Sequence, residues 1–189
     1  MQSGNKDGGS FLIKRLVNIL ELADFNCGIP RMDAFLHGDL ALSIANHFCE
    51  AYSVISDGQV IAFFALSFDS LSLDDEDKND AKFVFNVNDE YADSFWYKSS
   101  YPALEIAYLA VKENNQRMGI GSFIVEEIAT LAESQTIAGC QFLTVDALVI
   151  TDNISPYSAV GFYSKAGFVS CEYPDPSKET CRMYRALHL

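Results

Sequence analysis

The stretch whose residue types most directly suggest chemistry is Gln116, Arg117, Met118, Gly119, Ile120 and Gly121, followed by Ser122. It lies between an apolar run and a segment of helical periodicity, so it forms a glycine-bearing turn feeding a helix N-terminus. Glycine lets the backbone turn tightly and lets a ligand approach without meeting a Cβ. The first amides of the helix are unpaired donors at the positive end of its dipole. The ligand such a turn suits is a phosphate or pyrophosphate. A Gly-x-Gly pair between a strand and a helix is also ordinary turn chemistry. The Gly-Lys-Ser/Thr ending of a nucleotide-hydrolase phosphate loop is absent, as is the third glycine of a dinucleotide fingerprint.

The elements on either side must position this turn. Pro102 to Val111 is rich in β-formers, with Leu104, Ile106, Tyr108 and Leu109, and predicts a mostly buried strand. After the turn, Ile124, Ile128, Leu131 and Ala132 fall on one helical face, while Glu126, Glu127 and Glu133 leave an acidic side for water. Gly139 is placed to end that helix, and Phe142 to Ala147 reads as a strand.

Two motifs resemble the GCN5-related N-acetyltransferases. The first is Gln116-x-x-Gly119-x-Gly121, preceded by the strand Glu105-Ile106-Ala107-Tyr108-Leu109-Ala110-Val111. The second is Ala159 to Phe168, in which a helix carries Tyr163 and ends at Gly167-Phe168. Their order and separation suit the family, and the resemblance covers residues 102 to 186 well. It implies the α/β (α+β) fold of that family: a central mixed, mostly antiparallel sheet of six to seven strands, flanked by about four helices. It also implies acetyl-CoA as cosubstrate, attacked directly by an amine in a ternary complex.

The resemblance assigns roles residue by residue. The cofactor-binding residues it implies are Leu109, Ala110 and Val111 on the strand, then Gln116, Arg117, Met118, Gly119, Ile120, Gly121 and Ser122 on the turn. The strand would splay from its neighbour and leave backbone donors for the thioester and the pantetheine arm. Asn153 is a further expected cofactor ligand, three residues upstream of the family's usual asparagine position, which Pro156 occupies here. Tyr163 matches the tyrosine that sits near the coenzyme sulfur and can protonate the departing thiolate. Glu105 resembles the glutamate that deprotonates lysine in histone-acetylating members, a role for which burial would raise its pKa usefully. Other members work without a dedicated base.

Composition bounds the alternatives. The 189 residues, 49% hydrophobic and 13% aromatic, suit a single domain over residues 11–189, preceded by a polar, unstructured N-terminus of residues 1–10. There is no run of about 18 apolar residues and no basic-then-hydrophobic leader, so the expectation is a cytoplasmic protein without membrane partners, monomeric or homodimeric. Five cysteines without a Cys-x-x-Cys pair suit reduced thiols, and no metal is expected. A formal charge of −13 argues against nucleic acid as a partner and for a cationic or neutral substrate, a small-molecule or peptide amine.

Further along the chain, Met32, Phe35, Leu36, Leu40 and Ile44 predict one amphipathic helix, and Asp57-Gly58 predicts a hairpin joining Ala51–Ser56 to Gln59–Ser67. Phe11 to Ala23 is ambiguous: Leu12, Leu16, Ile19, Leu20 and Ala23 suit a helix, while Phe11–Leu16 also suits a first strand. Residues 69–98 form an acidic insertion with interleaved aromatics, either a solvated loop or a lid that would attract an ammonium group. Pro156 suits the first turn of the second-motif helix, and Phe168–Glu172 with Thr180–Leu187 suit a terminal hairpin. Phe25-x-Cys27-Gly28 before a helix and Val145-Asp146-Ala147 resemble the branch of toxins that acetylate aminoacyl-tRNA. The alternatives to the amine acetyltransferase are therefore such a toxin or a non-catalytic acyl-CoA-binding module.

Overall fold

The computed structural model describes residues 4–6, 9–75, 77–79, 97–135, 138–152, 155–171 and 177–187. Residues 11–189, expected as a single domain, group into two units that alternate along the chain: Met1–Ser67 with Ile106–Glu126, and Phe68–Glu105 with Glu127–Leu189. One strand and one helix run through both.

In the first unit, β1 (Gly4–Lys6) pairs antiparallel with β2 (Gly9–Arg15), so the polar N-terminus contributes a short strand where none is expected. The ambiguous segment from Phe11 is extended because β2 pairs with β3 (Glu50–Ser56). Buried Ile13 next to exposed Leu12 is the alternation of a half-buried strand. The predicted hairpin between β3 and β4 (Gln59–Leu71) turns at Asp57 and Gly58, with φ of 50° and 77°. Both angles are positive, as a two-residue turn matching strand twist requires.

The single helix predicted from Met32 to Ile44 is found as two, α1 (Pro30–Gly38) and α2 (Leu40–Ala45), meeting at Asp39. Pro30 opens α1, where its missing N–H costs nothing. Leu36 and Leu40 are both buried in a core with Leu22, Phe25, Cys27, Phe63 and Ala110, and that shared destination fixes the bend. β5 (Tyr101–Val111) leads through a 3-10 helix (Glu113–Asn115) to α3 (Ile120–Ser134).

In the second unit the first half of β5 pairs parallel with β6 (Phe142–Ile150), Glu105 opposite Thr144. β6 pairs antiparallel with β9 (Thr180–Ala186), and β8 (Val169–Ser170) pairs with β9 as the predicted terminal hairpin. β6 runs three residues past Ala147 because Val149 and Ile150 pair with β7 (Tyr157–Ser158). That pairing also delays the second-motif helix, expected from Pro156, so that α4 spans Val160–Lys165.

The hydrogen-bonded order is β1-β2-β3-β4-β5-β6-β9-β8, with β7 on β6. The sheet is mixed, parallel at β5–β6 and antiparallel at every other described register. Among the described residues there are nine strands, of which β1, β7 and β8 are only two or three residues long, and the mixed, mostly antiparallel sheet is the expected one. Of the acidic insertion, residues 76 and 80–96 lie outside the described residues. Asp74 and Asp77 exchange hydrogen bonds with each other's backbone amides, at 3.4 and 2.8 Å. Part of the acidic run thus satisfies the orphan amides of a helix start.

Leu40 is fully buried, so Leu40→Ala should cost about 2–5 kcal/mol by lost transfer energy and cavity formation. Urea unfolding measures this; a loss below about 1 kcal/mol would show that α2 does not depend on that core.

Candidate active site

Between β5 and α3 the chain must reverse within a few residues, and it does so through two left-handed conformations, Arg117 at φ 63° and Gly119 at φ 80°. Glycine adopts this at no steric cost, whereas arginine does not. The first helical hydrogen bond of α3 runs from Phe123 N to Gly119 O at 3.0 Å. The N–H groups of Ile120, Gly121 and Ser122 precede it and are the free donors of the helix start. A Cβ placed on Gly119 would meet nothing within 4 Å, so the space beside this backbone is open. Arg117, Met118 and Ser122 are exposed on the same turn. The arrangement is a concentration of backbone donors at a positive helix end, suited to a pyrophosphate.

Strand β5 presents Leu109 and Val111 half-buried, while the Ala110 side chain is sequestered in the core. Ala110 can therefore meet a ligand only through its backbone. The Gln116 side-chain amide is engaged within the protein. Its Nε2 donates to Cys27 O at 2.7 Å and to Val111 O at 3.0 Å, which uses both of its amide hydrogens.

Cys27 is free and packed in the core. Burial pushes its thiol up to about 11, the wrong direction for a nucleophile and consistent with a structural residue.

The second unit carries the two residues expected to move protons. Tyr163 sits on α4, 5% exposed, between Phe162 and Phe168 at ring-centroid distances of 4.9 and 5.3 Å. Burial, with a smaller contribution from Tyr157, raises its phenol above the usual range, and a phenol is protonated at neutral pH even without that shift. α4 is held at its end by Gly167 at φ 84° and by Arg185, whose Nη1 donates to Ala166 O at 3.0 Å.

Glu105 on β5 lies in a cluster that sequence reasoning missed. Arg182 on β9 donates to Glu105 Oε1 at 3.4 Å, to Asp146 Oδ1 at 3.5 Å and to Asp69 Oδ2. Thr144 donates to the same oxygen of Asp69. Asp146 and Arg182 are direct cross-strand partners, a signal readable only once the β6–β9 register is known. Burial pushes the Asp69 carboxyl up, but the Thr144 hydroxyl, the Ser70 amide and Arg182 outweigh it and hold it below the usual carboxylate range. Asn153, the remaining expected ligand, lies outside the described residues.

The glycine-bearing turn after a strand, with its helix-start amides, is of a kind that suits a phosphate-bearing ligand. Residues 49–170 match the family model described as acetyltransferase (GNAT) domain, and the chain belongs to that family. It is an acyltransferase that uses acetyl-CoA. Among solved structures, a bacterial toxin is 19% identical with a TM-score of 0.65, covering 94% of this chain and 90% of that one. AtaTR bound with AcCoA is 18% identical, TM-score 0.62, covering 94% and 93%. AtaT complexed with acetyl-methionyl-tRNAfMet is 16% identical, TM-score 0.61, covering 91% and 93%. At these identities the likeness establishes the fold. No curated protein matches. The expected exclusion of nucleic acid draws no support from these neighbours, one of which is a tRNA complex. No helix among the described residues is long and apolar enough to cross a membrane.

Asp69 gives a pH prediction. Its folded pKa lies below the unfolded value of about 3.9, so its stabilisation is present above that value and is lost as pH falls through the lower folded one. Wild type should exceed Asp69→Asn in urea midpoint at pH 7, and the gap should narrow below about pH 4. A gap unchanged at pH 3 would mean that the carboxylate charge is not what stabilises the cluster.

Proposed function

We propose that the protein is an N-acetyltransferase that moves the acetyl group of acetyl-CoA to a primary amine of a small molecule or peptide by direct attack in a ternary complex. The observation that carries this reading is Tyr163, a phenol, neutral at physiological pH, on the helix of the second family motif. The neutral amine attacks the thioester carbonyl carbon, and the carbon–sulfur bond breaks from the tetrahedral intermediate. The departing thiolate takes a proton from the Tyr163 hydroxyl, and the nitrogen gives one up to Glu105 through water, or to solvent. The amides of Arg117 to Ser122 hold the pyrophosphate, with the Arg117 side chain beside them. The backbone of Leu109 to Val111 holds the pantetheine arm, and Asn153 completes the set. The protein works as a monomer or homodimer in the cytoplasm.

A second reading makes the acceptor the α-amine of an aminoacyl-tRNA, and the distribution of charge favours it more than the total does. The unit holding the coenzyme turn, α1 and α2 has six Lys and Arg against nine Asp and Glu, or −3 of the total −13. Residues 69–98 alone hold nine acidic and three basic residues, or −6. The first unit is thus less acidic than the chain as a whole. Incubation with acetyl-CoA and either a panel of amines or charged tRNA, read by thiol release and by mass of the acylated product, decides between the two. Turnover only with charged tRNA would overturn the small-amine reading, and turnover only with amines would overturn the other.

For the chemistry, Tyr163→Phe should lower kcat roughly 10²-fold or more while leaving the KM for acetyl-CoA within a few-fold. Equal kcat in the variant would remove Tyr163 from the proton transfer.

A further inference from the structure

Gln116 belongs to the family signature, and although the residue is exposed its side-chain amide is engaged by the protein's own backbone. Its Nε2 bridges Cys27 O, on a turn 89 residues earlier, and Val111 O, at the end of β5. A second bond crosses the same seam, from Glu113 N to Asn26 O at 3.0 Å. The Asn26–Gly28 turn is itself well determined. Asn26 Oδ1 accepts from Gly28 N at 2.6 Å, Cys27 N donates to Asp33 Oδ1 of α1 at 2.9 Å, and Gly28 holds φ 76°. The Cys27 side chain anchors it in the core.

Next to this brace stands the strained part of the coenzyme turn. Arg117 at φ 63° costs of order 1 kcal/mol or more, and such a conformation persists only where the surroundings over-determine it. The residue immediately before it is Gln116, fixed at two points.

We infer that Gln116 is a positioning residue for acetyl transfer: by clamping the 113–117 segment to the Asn26–Gly28 turn, it holds the strained turn that binds the pyrophosphate. Coenzyme affinity therefore depends on the Asn26–Gly28 turn, which also leads into α1. This rests on acetyl-CoA binding at the turn.

A double-mutant cycle with a pH arm tests it. Gln116→Ala should raise the KM for acetyl-CoA roughly ten-fold, with a smaller effect on kcat. Asn26→Ala removes the side chain that shapes the distant turn and should raise the same KM, less than additively with Gln116→Ala. Gln116→Glu keeps the shape but aims a carboxylate at two carbonyls, so its KM should fall toward wild type as pH is lowered and an O–H donor returns. Thermal unfolding of each variant reports its folding. Additive effects would make Gln116 a direct ligand and overturn the inference, as would an unchanged KM in Gln116→Ala. Absence of acetyl-CoA binding by wild type, measured alongside, would instead overturn the cofactor assignment beneath it.

Discussion

The structure depends on the turn by which β5 gives way to α3, whose first hydrogen bond is made only at Phe123. Val111 ends β5 and Ile120 begins α3, and the residues between them must turn the chain without covering the N–H groups of Ile120, Gly121 and Ser122. A right-handed turn would have accommodated any residue type. The chain uses left-handed backbone at Arg117 and Gly119 instead. The gain is an open space beside Gly119, where a side chain would otherwise stand between the amides and a phosphate. The cost falls on Arg117, and the neighbouring hydrogen bonds of Gln116 and Glu113 offset it.

The second unit solves a different problem, that of placing polar groups where water is scarce. Tyr163 answers it with a group that is neutral at pH 7 in any surroundings, whose ionisation burial opposes further. Asp69 answers it by staying ionised. Three donors, the Thr144 hydroxyl, the Ser70 amide and Arg182, together exceed the desolvation penalty. Arg182 then faces three carboxylates, so the cluster as a whole is anionic and partly open to water, with Asp146 half exposed. Glu105 thus sits in a net negative surrounding. An ammonium group approaching it would be attracted, although it must lose its proton before it can attack a thioester.

What the sequence made legible follows from how local each signal is. The β3–β4 hairpin was readable because Asp57-Gly58 can adopt the two positive φ angles that a tight turn demands. The β5-turn-α3 unit was readable because its periodicity changes from that of a strand to that of a helix across a glycine pair. The division of α1 from α2 was not, since Leu36 and Leu40 fit one helical face equally well and only the shape of the core separates them. The carboxylate cluster was beyond reach for a related reason. Arg182 meets partners 36, 77 and 113 residues away, and their meeting depends on the register of β6 with β9. The brace at Gln116 was hidden differently: its acceptors are backbone carbonyls, which no residue type announces.

Net charge shows how a whole-chain quantity can mislead about a site. The value of −13 reads as repulsion of any polyanion, and with exposed charges spread evenly that inference would hold. Fields between exposed charges fade over about 8 Å at physiological salt, so distant carboxylates are screened from a docking face. Part of the acidity is also spent internally, as where Asp74 and Asp77 bond backbone amides and Asp69 pairs with Arg182. What an approaching acceptor meets is the local balance of the unit that binds it, and the unit holding the Gly119 turn carries only −3 of the −13. Acidity therefore limits which surface a nucleic acid could use without deciding whether one is used.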